Sequence, residues 1–256
     1  MLLALPGWAG LLVSAVFVMA LGLGVYVLSS WLVDRFQVAD MEEAGQTLFV
    51  VVGVFTGLML SLAFTEGLSD WRSIQDSVKE EAIAISDTFE VLNRFEQSTD
   101  GARSALLEYT EAVIEDDWEA LEDDELSDRA GDLRRTLVDE GLALEPESAD
   151  EAEVKTFLLD DLDAVSGARQ TRLSAALAEP PVYTYVFVAL AAVSMAFFGV
   201  YRPQPVLIGF AALFAGTMGV VVYLVVDLSD PFQGLISVDP TPLEELLEMM
   251  RTQLES

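Results

Sequence analysis

The chain has 256 residues, 52% of them hydrophobic, yet 43 acids against 13 bases give it a formal net charge of -30. A typical soluble domain spreads apolar and charged residues through amphipathic elements, whereas here they gather in separate blocks, which excludes an ordinary soluble enzyme. With no Cys and no His there is no thiolate nucleophile, disulfide, Cys/His zinc site or Ser-His-Asp triad, and so acidic a chain excludes nucleic acid, whose phosphates require a basic surface.

In chain order, four uncharged runs stand out: 1–33, 44–65, 180–201 and 203–226. About 20 apolar residues cross the hydrocarbon core as a helix, so each run is long enough to span. The expected fold is all-α, a polytopic membrane protein with four transmembrane helices in two hairpins. The first hairpin covers 1–65, with helices over about 3–33 and 45–65; the second covers 180–226 and reverses at Arg202-Pro203. The first run lacks a basic leader and an A-x-A cleavage site, so it reads as a span and not as a secretory signal. Both termini and the long segment 66–179 then share one side. Arg72, Lys79, Arg169 and Arg172 lie there, against Arg35 and Arg202 on the other, which places that side in the cytoplasm of a multi-pass cell-membrane protein.

Segment 66–179 holds 32 of the acids and 10 of the bases. Such charge can mean disorder, but its apolar residues recur at helical spacing: Val78, Ile83, Ile85, Phe89, Leu92 and Phe95; then Leu106, Leu107, Val113, Trp118 and Leu121; then Val154, Phe157, Leu158, Val165 and Leu173. Ser148-x-x-Glu151 is a capping box opening the last stretch. No proline separates the second span from Phe89, so that helix is expected to run on into a helical cytoplasmic insert, with breaks around 122–128 and 145–150. The insert's spread of acids, and 11 Arg to 2 Lys in the whole chain, read as a halophilic surface, whose self-repulsion molar salt screens. The competing reading is divalent-cation binding by Glu115-Asp116-Asp117 or Glu122-Asp123-Asp124-Glu125. Neither run has the alternating ligands and mid-loop glycine of an EF-hand, so no metal and no other cofactor is expected.

Residues 227–256 begin with Asp230-Pro231-Phe232-Gln233-Gly234, a turn that stops the fourth helix, and end in a short helix opened at Pro242 and capped by Thr241. This turn, the Ile236-Ser237-Val238 and Pro242-Leu243-Glu244 that follow it, Glu80-Glu81-Ala82, and Arg169-x-x-Arg172-Leu173 ahead of Pro180-Pro181 occur in an order that resembles the prokaryotic bestrophin-like domain family. The resemblance covers nearly the whole chain. Bestrophins, more distantly similar, are pentameric anion channels with cytosolic termini and a pore lined by the second helix. Phe64 before Asp70-Trp71-Arg72 looks like their neck aromatic ahead of an arginine-tryptophan cluster, but Ser73 and Ile74 replace the tryptophans. Gln233-Gly234-Leu235-Ile236 stands in place of the acidic calcium clasp, so calcium gating is not implied.

The second span carries two rows at intervals of four. Gly53, Gly57 and Ser61 read as helix packing, while Thr56, Leu60 and Phe64 would present successive collars to the axis of a ring of subunits. The resemblance implies an oligomeric ion channel in the lipid bilayer, a homo-oligomer with five subunits as the bestrophin number, passing ions passively with anions favoured. No charged residue interrupts a span, which counts against a secondary transporter and not against a passive channel. The alternative is a non-conducting scaffold or sensor whose acidic bundle binds a partner or cations. No carboxylate pair has a setting that singles it out as catalytic, so an enzyme is not expected.

Overall fold

The structure, a computed structural model, describes residues 7–36, 42–95, 98–122, 125–176 and 183–254. In chain order its helices are α1 (Gly7–Arg35), α2 (Glu42–Leu92), α3 (Asp100–Ala112), a π-turn (Val113–Asp117), α4 (Trp118–Glu122), α5 (Asp128–Ala143), α6 (Ala149–Ala176), α7 (Tyr183–Phe198), α8 (Pro205–Asp227) and α9 (Thr241–Leu254). Among the described residues there is no strand. The expected start of the first span near residue 3, the Pro180-Pro181 pair and Asp123-Asp124 lie outside the described residues.

The chain divides into two compact units, Met1–Trp71 with Glu179–Ser237, and Arg72–Ala178 with Val238–Ser256. In the first unit, α1 packs along α8 and α7. Its buried positions Gly10, Ser14, Val18, Gly22, Tyr26 and Ser30 recur every four residues, so one narrow, mostly small face lets helix backbones approach. At the closest point a Cβ on Gly219 of α8 would lie 2.8 Å from Ala15 Cα and 2.9 Å from the Ser14 carbonyl oxygen, and the Ser14 hydroxyl donates to the Gly219 carbonyl at 3.1 Å. Gly22 and Gly216 are similarly tight, whereas Gly24 and Gly209 face open space. On α2, Phe49 meets Phe198 and Phe214 edge-on, with centroids 4.6 and 5.5 Å apart.

Helices α1, α2 and α8 are long and apolar enough to cross a membrane. In α7 the described apolar stretch is the shorter Ala189–Phe198.

In the second unit, the last 21 residues of α2 bury Ile74, Val78, Ala82, Ile85, Phe89 and Leu92, while Ile83 points outward and is 60% exposed. Phe157, expected in the α6 stripe, is also largely exposed, because Leu158, Leu162, Val165 and Leu173 fill that face one position away. The Ser148 cap forms: the Glu151 N–H donates to Ser148 Oγ at 3.1 Å, while Glu151 Oε2 accepts the N–H of Glu147, one residue before the cap, at 2.7 Å. Lys155 closes the end of α5 by donating to the carbonyls of Leu142 and Leu144. Helix α9 buries Leu243, Leu246, Leu247 and Met250 and packs on α3. Its cap differs from the expected one. Asp239, not Thr241, is the acceptor, taking the Thr241 N–H at 2.8 Å and the Thr241 hydroxyl, and these bonds hold its carboxyl below the ordinary range.

Candidate functional site

Helix α2 runs 51 residues without proline, so it contributes to both units as one element. Its apolar half has two faces. Thr56 and Leu60 are closed off within the chain, at 1% and 5% exposure. Leu60 and Ala63 form a core with Phe187, Val222 and Val225, against which Phe64, Leu190, Met218 and Val221 pack partly buried. The Thr56 hydroxyl donates to the Val52 carbonyl at 2.7 Å, which satisfies it locally. A Cβ on Gly53 or Gly57 would meet nothing within 4 Å, and Ser61 is exposed. Of the row expected to form collars, Leu60 and Phe64 therefore pack against α7 and α8 and Thr56 is buried, while Gly53, Gly57 and Ser61 of the row expected to pack meet no such contact.

After α8 the chain folds back. Asp227, fully buried, accepts the N–H groups of Leu235 and Ile236 at 2.8 and 3.0 Å. Asp230 accepts those of Phe232 and Gln233, Phe232 is buried, and Gly234 takes a positive φ of 96° that a side chain would oppose. Asp227 was not singled out by sequence, although an acid ending an uncharged helix just before the turn is its signal.

Further along α2 lies a group of buried charges that sequence reasoning had placed in a solvated surface or left among family segments. Arg172 on α6 donates from Nε to Glu81 Oε2 on α2 at 3.0 Å and from Nη2 to Asp117 Oδ2 in the π-turn at 3.0 Å. Arg169, one turn earlier, grips Asp117 with two bonds of 2.9 and 3.1 Å. The Tyr109 hydroxyl of α3 completes Glu81 at 2.6 Å, and the Trp118 ring lies 5.0 Å from Arg172 Cζ. Arg172, Glu81, Asp117 and Tyr109 are all fully buried. Two acids balance two bases, so the group is neutral although its members are charged. Burial pulls Arg172 toward its neutral form, but Glu81 and Asp117 outweigh this and hold it above its ordinary pKa. Burial and then Glu81 push the Tyr109 phenol well up, which keeps it a donor. Among the described residues no group of three or more acids is arranged to hold a metal ion.

These features can be set beside known proteins. The sequence matches the Bestrophin-like domain over residues 8–243. The chain belongs to the Bestrophin-like family. Glu81 on α2 and Arg169 and Arg172 on α6 are brought into one cluster by the fold of this chain. The same architecture appears in solved structures. A mutant of a bacterial bestrophin homologue from Klebsiella pneumoniae superposes with a TM-score of 0.70 at 12% identity, covering 94% of this chain and 99% of that one. A second mutant of a Klebsiella pneumoniae homologue gives 0.65 at 16% identity, covering 95% and 96%. A structure described as a membrane protein gives 0.63 at 16% identity, covering 94% and 97%. At these identities the likeness is one of fold. No curated protein matches the sequence.

Proposed function

We propose that this Bestrophin-like protein is an oligomeric channel that conducts ions passively across a lipid bilayer, with α2 lining the path. The observation that carries the reading is the family match over residues 8–243. The apolar lengths of α1, α2 and α8 support it; in this reading α7 serves as the fourth span. In this reading the termini and residues 66–179 are cytoplasmic, the subunits form a homo-oligomer of pentameric type, anions are favoured, and the acidic surface suits high salt. Family likeness supplies the oligomer and the anion preference; the protein's own chemistry has no catalytic role in it.

Burial supports one choice of faces on α2 in this reading. Because Thr56 and Leu60 are covered within one subunit, they serve to seat α2 on its neighbours, and the lumen takes the open side that carries Gly53, Gly57 and Ser61. Phe64, half-buried at the border between the two faces, is the neck candidate. An aromatic collar of this kind gates by controlling wetting. Flux from liposomes containing verified oligomers tests the reading: chloride or potassium efflux above protein-free background supports it, and background flux for both ions refutes conduction. In the conducting case Phe64→Ala is expected to raise flux.

The covered Thr56–Leu60 row favours a second reading, a non-conducting scaffold whose acidic unit binds a partner or cations. It predicts tight packing of α2 at the oligomer axis and no flux under any salt condition.

A further inference from the structure

The π-turn is a deliberate feature of the sequence. The Trp118 N–H bonds to the Val113 carbonyl, five residues back, so one extra residue is accommodated there. Without it, a helix continuing α3 in α geometry would aim Asp116 where Asp117 now points, and Asp117 where Trp118 now points. With it, Asp117 reaches the two arginines and Trp118 and Leu121 are buried. The extra residue falls in Glu115-Asp116-Asp117, so both registers offer an aspartate to the same site.

Three further observations bear on this. In the present register Asp116 is held outside by Arg129 at 2.7 Å, an exposed pair of little strength. Arg172 Nη1 is buried and has no hydrogen-bond acceptor, so a carboxylate arriving along a shifted line finds a donor free. In the α register Asp116 faces the arginines and Asp117 takes the buried place of Trp118 beside Arg172, whose free Nη1 offers the second acid a partner, so both carboxylates lie against guanidinium groups.

We propose that the π-turn Val113–Asp117 is a two-register switch: relaxed to α geometry it passes Arg169 and Arg172 from Asp117 to Asp116, withdraws Trp118 from Arg172, and so alters the hold of Arg172 on Glu81 of α2. That conduction is the output rests on the channel reading above, since α2 also carries the open face assigned to the lumen. The switch itself does not rest on it.

Hydrogen exchange on the full-length protein in lipid tests the switch. Asp116→Asn removes the incoming acid and slows exchange of the 114–118 amides by about tenfold; Arg129→Gln frees that acid and speeds it by about two- to fivefold, the range an exposed pair allows. Deletion of the exposed Glu115 removes the extra residue, keeps Asp117, Trp118 and Leu121 where they are, and abolishes the fast exchange. Equal protection in wild type, Asp116→Asn and Arg129→Gln overturns the proposal, as does a shift of both variants in the same direction. Flux tests the output: Glu115 deletion changes it by about threefold or more. A conducting wild type with the exchange pattern present and flux unchanged in every variant overturns the link to conduction. A silent wild type overturns the channel reading, and exchange alone then decides the switch.

Discussion

Removing the Arg172 guanidinium leaves Glu81 with one donor, the Tyr109 hydroxyl, in a position closed to water. Breaking a buried ion pair from one side typically costs about 3–5 kcal/mol, while losing one neutral donor costs about 1 kcal/mol. Arg172→Met is therefore expected to lower the denaturation midpoint of the second unit far more than Tyr109→Phe; equal shifts would show that Glu81 finds water. Arg172→Lys does not rescue, because an ammonium cannot serve Glu81 and Asp117 at once with planar geometry. The burial and pairing of these charges could not be read from 32 acids and 10 bases by inspection, since burial of a charge depends on partners 52 to 91 residues away. Asp161 on α6 is an opposite case. Burial, then Asp87 and Asp160, raise the Asp161 pKa from its usual 3.8, with Arg94 opposing. A carboxyl raised in the folded state adds stability below its unfolded pKa and loses it as pH climbs through the folded value. Asp161→Asn is expected to be more stable than wild type at pH 7, with the gap closing toward about pH 4 as the wild-type carboxyl gains its proton. A gap independent of pH would mean the acid is not strained by its neighbours.

Single helices show which parts of a sequence speak for themselves. Uncharged runs and the absence of proline sufficed to anticipate α1, α8 and the continuation of α2, because lipid and backbone hydrogen bonding leave few alternatives. The π-turn was hidden: Val113 and Trp118 were both legible as apolar, but their five-residue step was read as one regular stripe. Glycines are hard to read for a physical reason, as only tertiary approach distinguishes a contact from a gap. On α8 a methyl at Gly219 would press on α1 backbone atoms, which cannot swing aside like a side chain, whereas one at Gly57 of α2 meets nothing inside the subunit. Gly219→Ala should cost about 1–3 kcal/mol of thermal stability, the usual range for overpacking. Gly57→Ala should leave the subunit's stability unchanged and act, where it acts, on oligomer distribution or flux. Matching losses for the two would place Gly57 in a contact within the subunit.

For the molecule as a whole the excess of 30 negative charges is the dominant long-range force. Raising KCl from 0.1 to 1 M shortens the screening length from about 10 to about 3 Å, which suppresses repulsion between separated acids but barely touches the buried ion pairs around Arg172. Thermal stability should therefore climb with KCl well beyond what sucrose of equal osmolality achieves, since a neutral osmolyte strengthens burial without screening. The same charge bears on ion choice. At low salt an acidic surface near the conduction path concentrates cations and repels anions over a range comparable with a pore mouth; at molar salt that field ends within one residue's length. In the channel reading, the chloride-to-potassium permeability ratio, taken from reversal potentials under fixed concentration gradients, is expected to rise between 0.1 and 1 M KCl. A ratio constant across that range would mean the acidic residues lie away from the ions' route, and would leave selectivity to uncharged groups such as backbone amides and the hydroxyl of Ser61 on the open face of α2.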